Sequence, residues 1–138
     1  MAESRDHLSI IAQSGTLDRL YPVGILASGG VANAMRVDVF LTFWGLFAAR
    51  KEPGEFAGLV SGDYGAAADA FRQAAQALPP WLTLLKNAKE LGDVHVHACA
   101  MTLDLMHMKL EDLDPIVDDV VGAGEFLDQA KDGPILVF

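Results

Sequence analysis

The chain holds a single cysteine, Cys99, among 138 residues. An intrachain disulfide is therefore excluded, and a reducing cytoplasm is the expected setting. Long apolar runs are scarce as well. The longest uncharged stretch, Leu20 to Met35, is broken by Pro22, Gly24, Gly29 and Gly30. A membrane span needs about 20 mostly apolar residues, so this stretch reads as a buried helix and no span is expected. The first six residues include Glu3 and Asp6 and no apolar run, which argues against a leader.

Basic residues are few, ten against nineteen acidic ones, for a net charge of −9. None falls between Lys109 and Lys131, where Glu111, Asp112, Asp114, Asp118, Asp119, Glu125 and Asp128 accumulate. Such a surface repels a phosphate backbone, so nucleic acid is not an expected partner. The acidic segment reads as a solvated face that aids solubility, or as a docking face for a basic protein. No Gly-x-Gly-x-x-Gly follows any expected strand and no phosphate-loop lysine motif exists, so no nucleotide cofactor is expected. Ser28 and Ser61 lack the context of an activated serine.

What is present is a core. Hydrophobic residues make up 51% of the chain and charged ones 21%, which excludes disorder. At this length one domain is the default, covering residues 1–138. Leu8–Gln13 reads as a first strand, with Ser14, Gly15 and Thr16 signalling a helix start. The helix is expected from Thr16 to Met35 by its apolar spacing, despite Pro22; a strand over Leu20–Ala27 is the alternative. Val37–Phe43 is the second strand and Trp44–Arg50 a short helix. Residues 51–65, with Pro53 and four glycines, read as a loop and a candidate mobile cover. Helices follow over Ala66–Leu78 and from Pro80 to Leu91, then a third strand over Val94–Ala98. A helix over Ala100–His107, a helical turn at Leu110–Leu113, a strand over Ile116–Val121, a helix over Glu125–Lys131 and a strand over Ile135–Phe138 complete the chain. Alternation of this kind predicts an α/β domain of three layers with a mostly parallel, five-stranded sheet.

In such a sheet ligands bind beyond the carboxyl ends of the strands. Those ends are Ser14 and Gly15, Thr42 to Trp44, and Cys99. Cys99 stands where a strand hands over to a helix, and amides at a helix start favour a thiolate. The rival reading is a small buried apolar residue. His95, His97 and Cys99 alternate and so share one strand face, which offers mixed nitrogen and sulfur ligands for zinc as an alternative. Met101, Met106 and Met108 have helical spacing and read as core filler. His107 sits three residues after Asp104 and pairs with it on one helix face.

Three stretches, Leu8–Asp18, Phe40–Leu46 and Ala98–Met106, resemble the hallmark segments of the DsrE/DsrF-like sulfurtransferase family, and the likeness extends to Val120–Leu127. The resemblance implies a flavodoxin-like fold, assembly into homo-oligomers, and a cysteine, here Cys99, that carries sulfane sulfur as a persulfide. It implies exchange with small carrier proteins of the TusA type or with rhodaneses, in sulfur relay or oxidation pathways. The mouth of the site is expected at Ser14, Gly15, Thr42, Trp44 and Met101, with His97 or His107 biasing the charge. Two departures stand out: Ala100 where related sequences usually have glutamine, and His107 where they tend to have glycine. The rival functions are a metal-binding protein using His95, His97 and Cys99, and a subunit without chemistry that holds a partner.

Overall fold

The computed structural model describes residues 6–138; the leader-free reading of the first residues falls largely outside that range. Five strands form one sheet in the order β4-β3-β2-β1-β5, and every pairing is parallel. They are β1 (His7–Ala12), β2 (Arg36–Leu41), β3 (Val94–Cys99), β4 (Asp119–Val121) and β5 (Ile135–Val137). The first three are six residues long and nearly continuous in apolar or buried side chains, as befits parallel strands covered on both faces.

The helices are α1 (Leu17–Ala32), α2 (Phe43–Ala48), α3 (Ala66–Ala75), α4 (Trp81–Leu91), α5 (Ala100–Leu105) and α6 (Ala123–Ala130). From β1 to β4 each strand is laid down on the same side of its predecessor, so right-handed crossovers put their helices on one face. There α1 and α4 pack closely: a Cβ on Gly24 of α1 would come within 2.7 Å of the Leu84 Cβ. Leu8, Ile10, Val37, Val39, Val96 and Ala98 point into that layer. The step from β4 back to β5 reverses direction, which carries α6 across the opposite face. Phe126 of α6 stacks there on Phe40 at 4.7 Å. The reversal lies between β1 and β5, and the crevice it would open is closed by Gln13 and Ser14, whose amides donate to the Phe138 carbonyl. Among the described residues no helix is long and apolar enough to cross a membrane.

The expected fold class stands, and the boundaries differ for local reasons. Helix α1 contains Pro22 and stops at Ala32 rather than Met35. Ala34 adopts φ 57°, and the Ala34 and Met35 amides return to the Val31 and Gly30 carbonyls, a left-handed cap that ends the helix. The fourth strand begins at Asp119 rather than Ile116. Asp114 accepts the Ile116 amide at 3.0 Å and turns the chain there, leaving Ile116 and Val117 to plug the core. Residues 51–65 contain two 3₁₀ turns and are tied down: Leu17 N–H donates to the Leu59 carbonyl at 2.7 Å and Ser61 N–H to Asp18 at 3.2 Å. The acidic segment is more than a solvated face. Asp114 pairs with Lys86 at 2.9 Å, Asp118 pairs with Lys89 and accepts the Val96 amide, and Asp119 reaches His97.

Candidate functional site

Because β2 and β3 are neighbours with Leu41 opposite Ala98, the residues that follow them leave the sheet side by side. Thr42 precedes α2 and Cys99 precedes α5, both in extended backbone conformation. One turn into α5, Thr102 is fully buried and points back: its Oγ1 lies 3.2 Å from Thr42 Oγ1 and accepts the Phe43 amide at 3.2 Å. Cys99 is buried among Phe40, Val121, Phe126 and Ala130. Burial pushes its thiol pKa up, but the Thr102 and Thr42 hydroxyls and the Thr102 and Met101 amides pull it down further, so the net shift favours the thiolate. Those amides belong to the first turn of α5, where backbone N–H groups have no partner within the helix.

Close packing positions α2. A Cβ on Gly45 would lie 2.2 Å from the Ala12 carbonyl oxygen, so only glycine lets α2 approach the end of β1 this closely. The Thr42 amide donates to that same carbonyl at 3.0 Å, and Gly45 N–H to Gln13 at 3.2 Å. Between them Phe43 is forced to φ 47°, an unfavourable conformation for a bulky residue. The residues flanking Thr42 and Cys99 are apolar and exposed: Phe43, Trp44, Met101, Leu105 and Met106. Trp44 is 53% exposed and stacks on Phe56 at 5.7 Å, so it forms a rim rather than a floor.

Two residues before Cys99, on the same strand face, His97 enters a buried charged network. Its Nε2 lies 2.7 Å from Asp38 and its Nδ1 2.6 Å from Asp119. A carboxylate only accepts, so contacts at both ring nitrogens favour the doubly protonated imidazolium. Burial alone would lower the His97 pKa; the two carboxylates outweigh it and raise it. Asp38 has no exposed surface and also meets His7 at 2.5 Å and Arg36 at 2.9 Å. Burial raises its pKa, but the bonds from His97, Arg36 and His7 hold it well below the usual carboxylate range. His97 also meets Phe126 edge-on at 6.3 Å, so the network and the thiol share the same apolar lid.

The structure therefore gathers Thr42, Cys99 and Met101 and adds Thr102, which sequence reasoning missed. Gly15 packs so closely on Trp44 that a Cβ there would lie 2.9 Å from the Trp44 carbonyl oxygen, and Ser14 bonds Thr16 in the turn before α1. Met101, expected as core filler, is 70% exposed. His107 lies beyond the far end of α5, exposed, with φ 54°. It occupies the left-handed cap position, with its amide on Asp104 and that of Met108 on Leu103. Both His97 nitrogens face carboxylates, and His95 bonds Asp93 at 2.7 Å. Among the described residues no group of three His, Cys, Asp or Glu is placed to hold a metal ion. Asp38 also escaped notice. Its signal was a lone carboxylate inside the otherwise apolar run from Val37 to Leu41.

A family model described as DsrE/DsrF/DrsH-like matches residues 4–58 and 66–138. The chain is 50% identical over 46 residues to "Sulfur carrier protein DsrE2" of Allochromatium vinosum, a match spanning 33% of this chain and 29% of that protein. It is 26% identical over 163 aligned positions to "Uncharacterized protein YrkE" of Bacillus subtilis, covering 100% of this chain and 99% of the relative. Its fold is similar to that of a solved structure, protein of unknown function MTH1491 from Methanobacterium thermoautotrophicum. That comparison has a TM-score of 0.60 at 18% identity and covers 96% of this chain and 99% of the other.

Proposed function

The chain belongs to the DsrE/DsrF/DrsH-like family, and from that premise we propose that it is a cytoplasmic sulfur-relay protein carrying sulfane sulfur on Cys99. The observation that carries the reading is the place of Cys99, where β3 hands over to α5 beside the paired Thr42 and Thr102 hydroxyls, with those hydroxyls and the Thr102 and Met101 amides lowering the thiol pKa against burial. Each unit of lowering is worth about 1.4 kcal/mol in favour of the thiolate.

In the transfer, the Cys99 thiolate attacks the outer sulfur of a donor persulfide. The donor S–S bond breaks, the donor leaves as its thiolate, and Cys99–S–SH forms. An acceptor thiolate then attacks the outer sulfur and Cys99 leaves as thiolate. Sulfane sulfur moves with no net oxidation. With one cysteine in the chain, the acceptor must be another molecule. The exposed Phe43, Trp44, Met101, Leu105 and Met106 supply an apolar collar for that acceptor, a small carrier of the TusA type or a rhodanese, and for contacts in a homo-oligomer.

Mass spectrometry after incubation with a persulfide donor tests the proposal. The expected result is the mass of one added sulfur atom on the wild type, none on Cys99→Ser, and its loss on addition of an acceptor thiol. Equal addition to both proteins would overturn it.

A further inference from the structure

Four of the chain's ten basic residues, Arg50, Lys51, Arg72 and Lys86, surround one cavity of about 610 Å³. It opens between the start of α1, the end of α3, the start of α4 and the segment 50–58. Its floor is apolar, with Leu20, Tyr21 and Trp81 buried and Leu17, Phe56 and Leu82 half-buried. The volume falls in the range of small-molecule pockets, roughly 300–1,000 Å³.

The charges around it are poorly balanced for a protein of net charge −9. Among the described residues Asp114 is the only acidic one that lines it, and it is engaged by Lys86 at 2.9 Å. The partner of Arg72, Asp69, is at the surface and does not line the cavity. Lys51 has no carboxylate partner among the described residues. The Arg50 guanidinium sits 5.0 Å from the Phe47 ring centre and 5.4 Å from that of Phe56, and donates to the Pro53 carbonyl. Its Nε is buried without a hydrogen-bond partner. A buried donor left unpaired is uncommon and calls for an acceptor.

We propose that this cavity binds an amphiphilic organic anion. The apolar body lies on Leu20, Tyr21 and Trp81, and the anionic head meets Arg50, Lys51 and Arg72. Neither Cys99 nor Thr42 nor Thr102 lines the cavity, so the site stands or falls apart from the sulfur-transfer reading.

Calorimetric titration of the full chain with decanoate, 1-decanol and inorganic phosphate tests it. Decanoate is expected to saturate at one per chain, about tenfold or more tighter than either comparison compound, because a charge-assisted bond and apolar burial act together. The Lys51→Gln, Arg72→Gln double variant, checked for an unchanged unfolding temperature, is expected to weaken decanoate binding about tenfold. Cys99→Ser is expected to bind decanoate as the wild type does. Absence of saturable decanoate binding, equal affinity for decanol or phosphate, or an unchanged affinity in the double variant would each overturn the proposal.

Discussion

The hydroxyls of Thr42 and Thr102 lie 3.2 Å apart, although 60 positions separate them in the chain, and both act to lower the pKa of the Cys99 thiol. One belongs to the turn after β2 and the other to the first turn of α5. Parallel pairing of β2 with β3 brings them together, so the sulfur environment depends on the sheet register.

Removing one hydroxyl should raise the thiol pKa. A hydrogen bond to a charged group contributes about 1.5–3 kcal/mol, equivalent to roughly one to two pKa units. Thr102→Val is expected to slow iodoacetamide alkylation of Cys99 at neutral pH by about tenfold and to shift its pH profile to the alkaline side. An unchanged profile would show that the hydroxyl does not stabilise the thiolate.

The buried network gives stability a definite pH dependence. The contribution of His97 is complete below its unfolded pKa, near about 6.5, and is lost as pH rises through its raised native value. That of Asp38 is complete above about 3.9 and is lost as pH falls through its depressed native value. Urea midpoints should therefore be higher near pH 5.5 than near pH 8.5, and Asp119→Asn should flatten the alkaline decline. Parallel declines in the two proteins would exclude His97 as the titrating group.

Asp38→Ala leaves His97 and His7 buried without their shared carboxylate. The expected cost is about 3–5 kcal/mol, the range for breaking a buried ion pair, measured by chemical denaturation.

Ala34 and His107 occupy left-handed cap positions at φ 57° and 54°. Ala34→Gly and His107→Gly should each raise stability by about 1 kcal/mol by relieving that strain. The two sites lie in different caps, so the gains should add. Thermal unfolding of both single variants and the double variant measures this.

Gly45→Ala would drive a methyl group into the Ala12 carbonyl, whereas a Cβ on Gly29 meets nothing within 4 Å. The first is expected to lower the unfolding temperature and slow Cys99 alkylation, because α2 carries Thr42 at its start. The second, in a helix interior, should stabilise by about 0.5–1 kcal/mol.

The sequence by itself determined the alternation of strands and helices, the α/β class and the prominence of Cys99. Apolar spacing, helix-start residues and prolines act within a few residues of one another, and Pro79 with Pro80 lies between α3 and α4, although α3 ends at Ala75 rather than Leu78. Helix ends were less legible, because Ala34 and His107 carry left-handed caps that favour glycine. Tertiary structure alone decided what surrounds the thiol. Thr102 becomes a sulfur partner only after α5 turns back toward Thr42, and His97 and Cys99, alternate residues on one strand, acquire different roles from their neighbours. Asp38 on β2 and Asp119 on β4 flank His97 on β3 and favour its charged form, while hydroxyls and amides at the strand's end favour the Cys99 thiolate. The physical reason is that a buried ionisable group takes its charge and its role from partners across the sheet, and those are chosen by strand order.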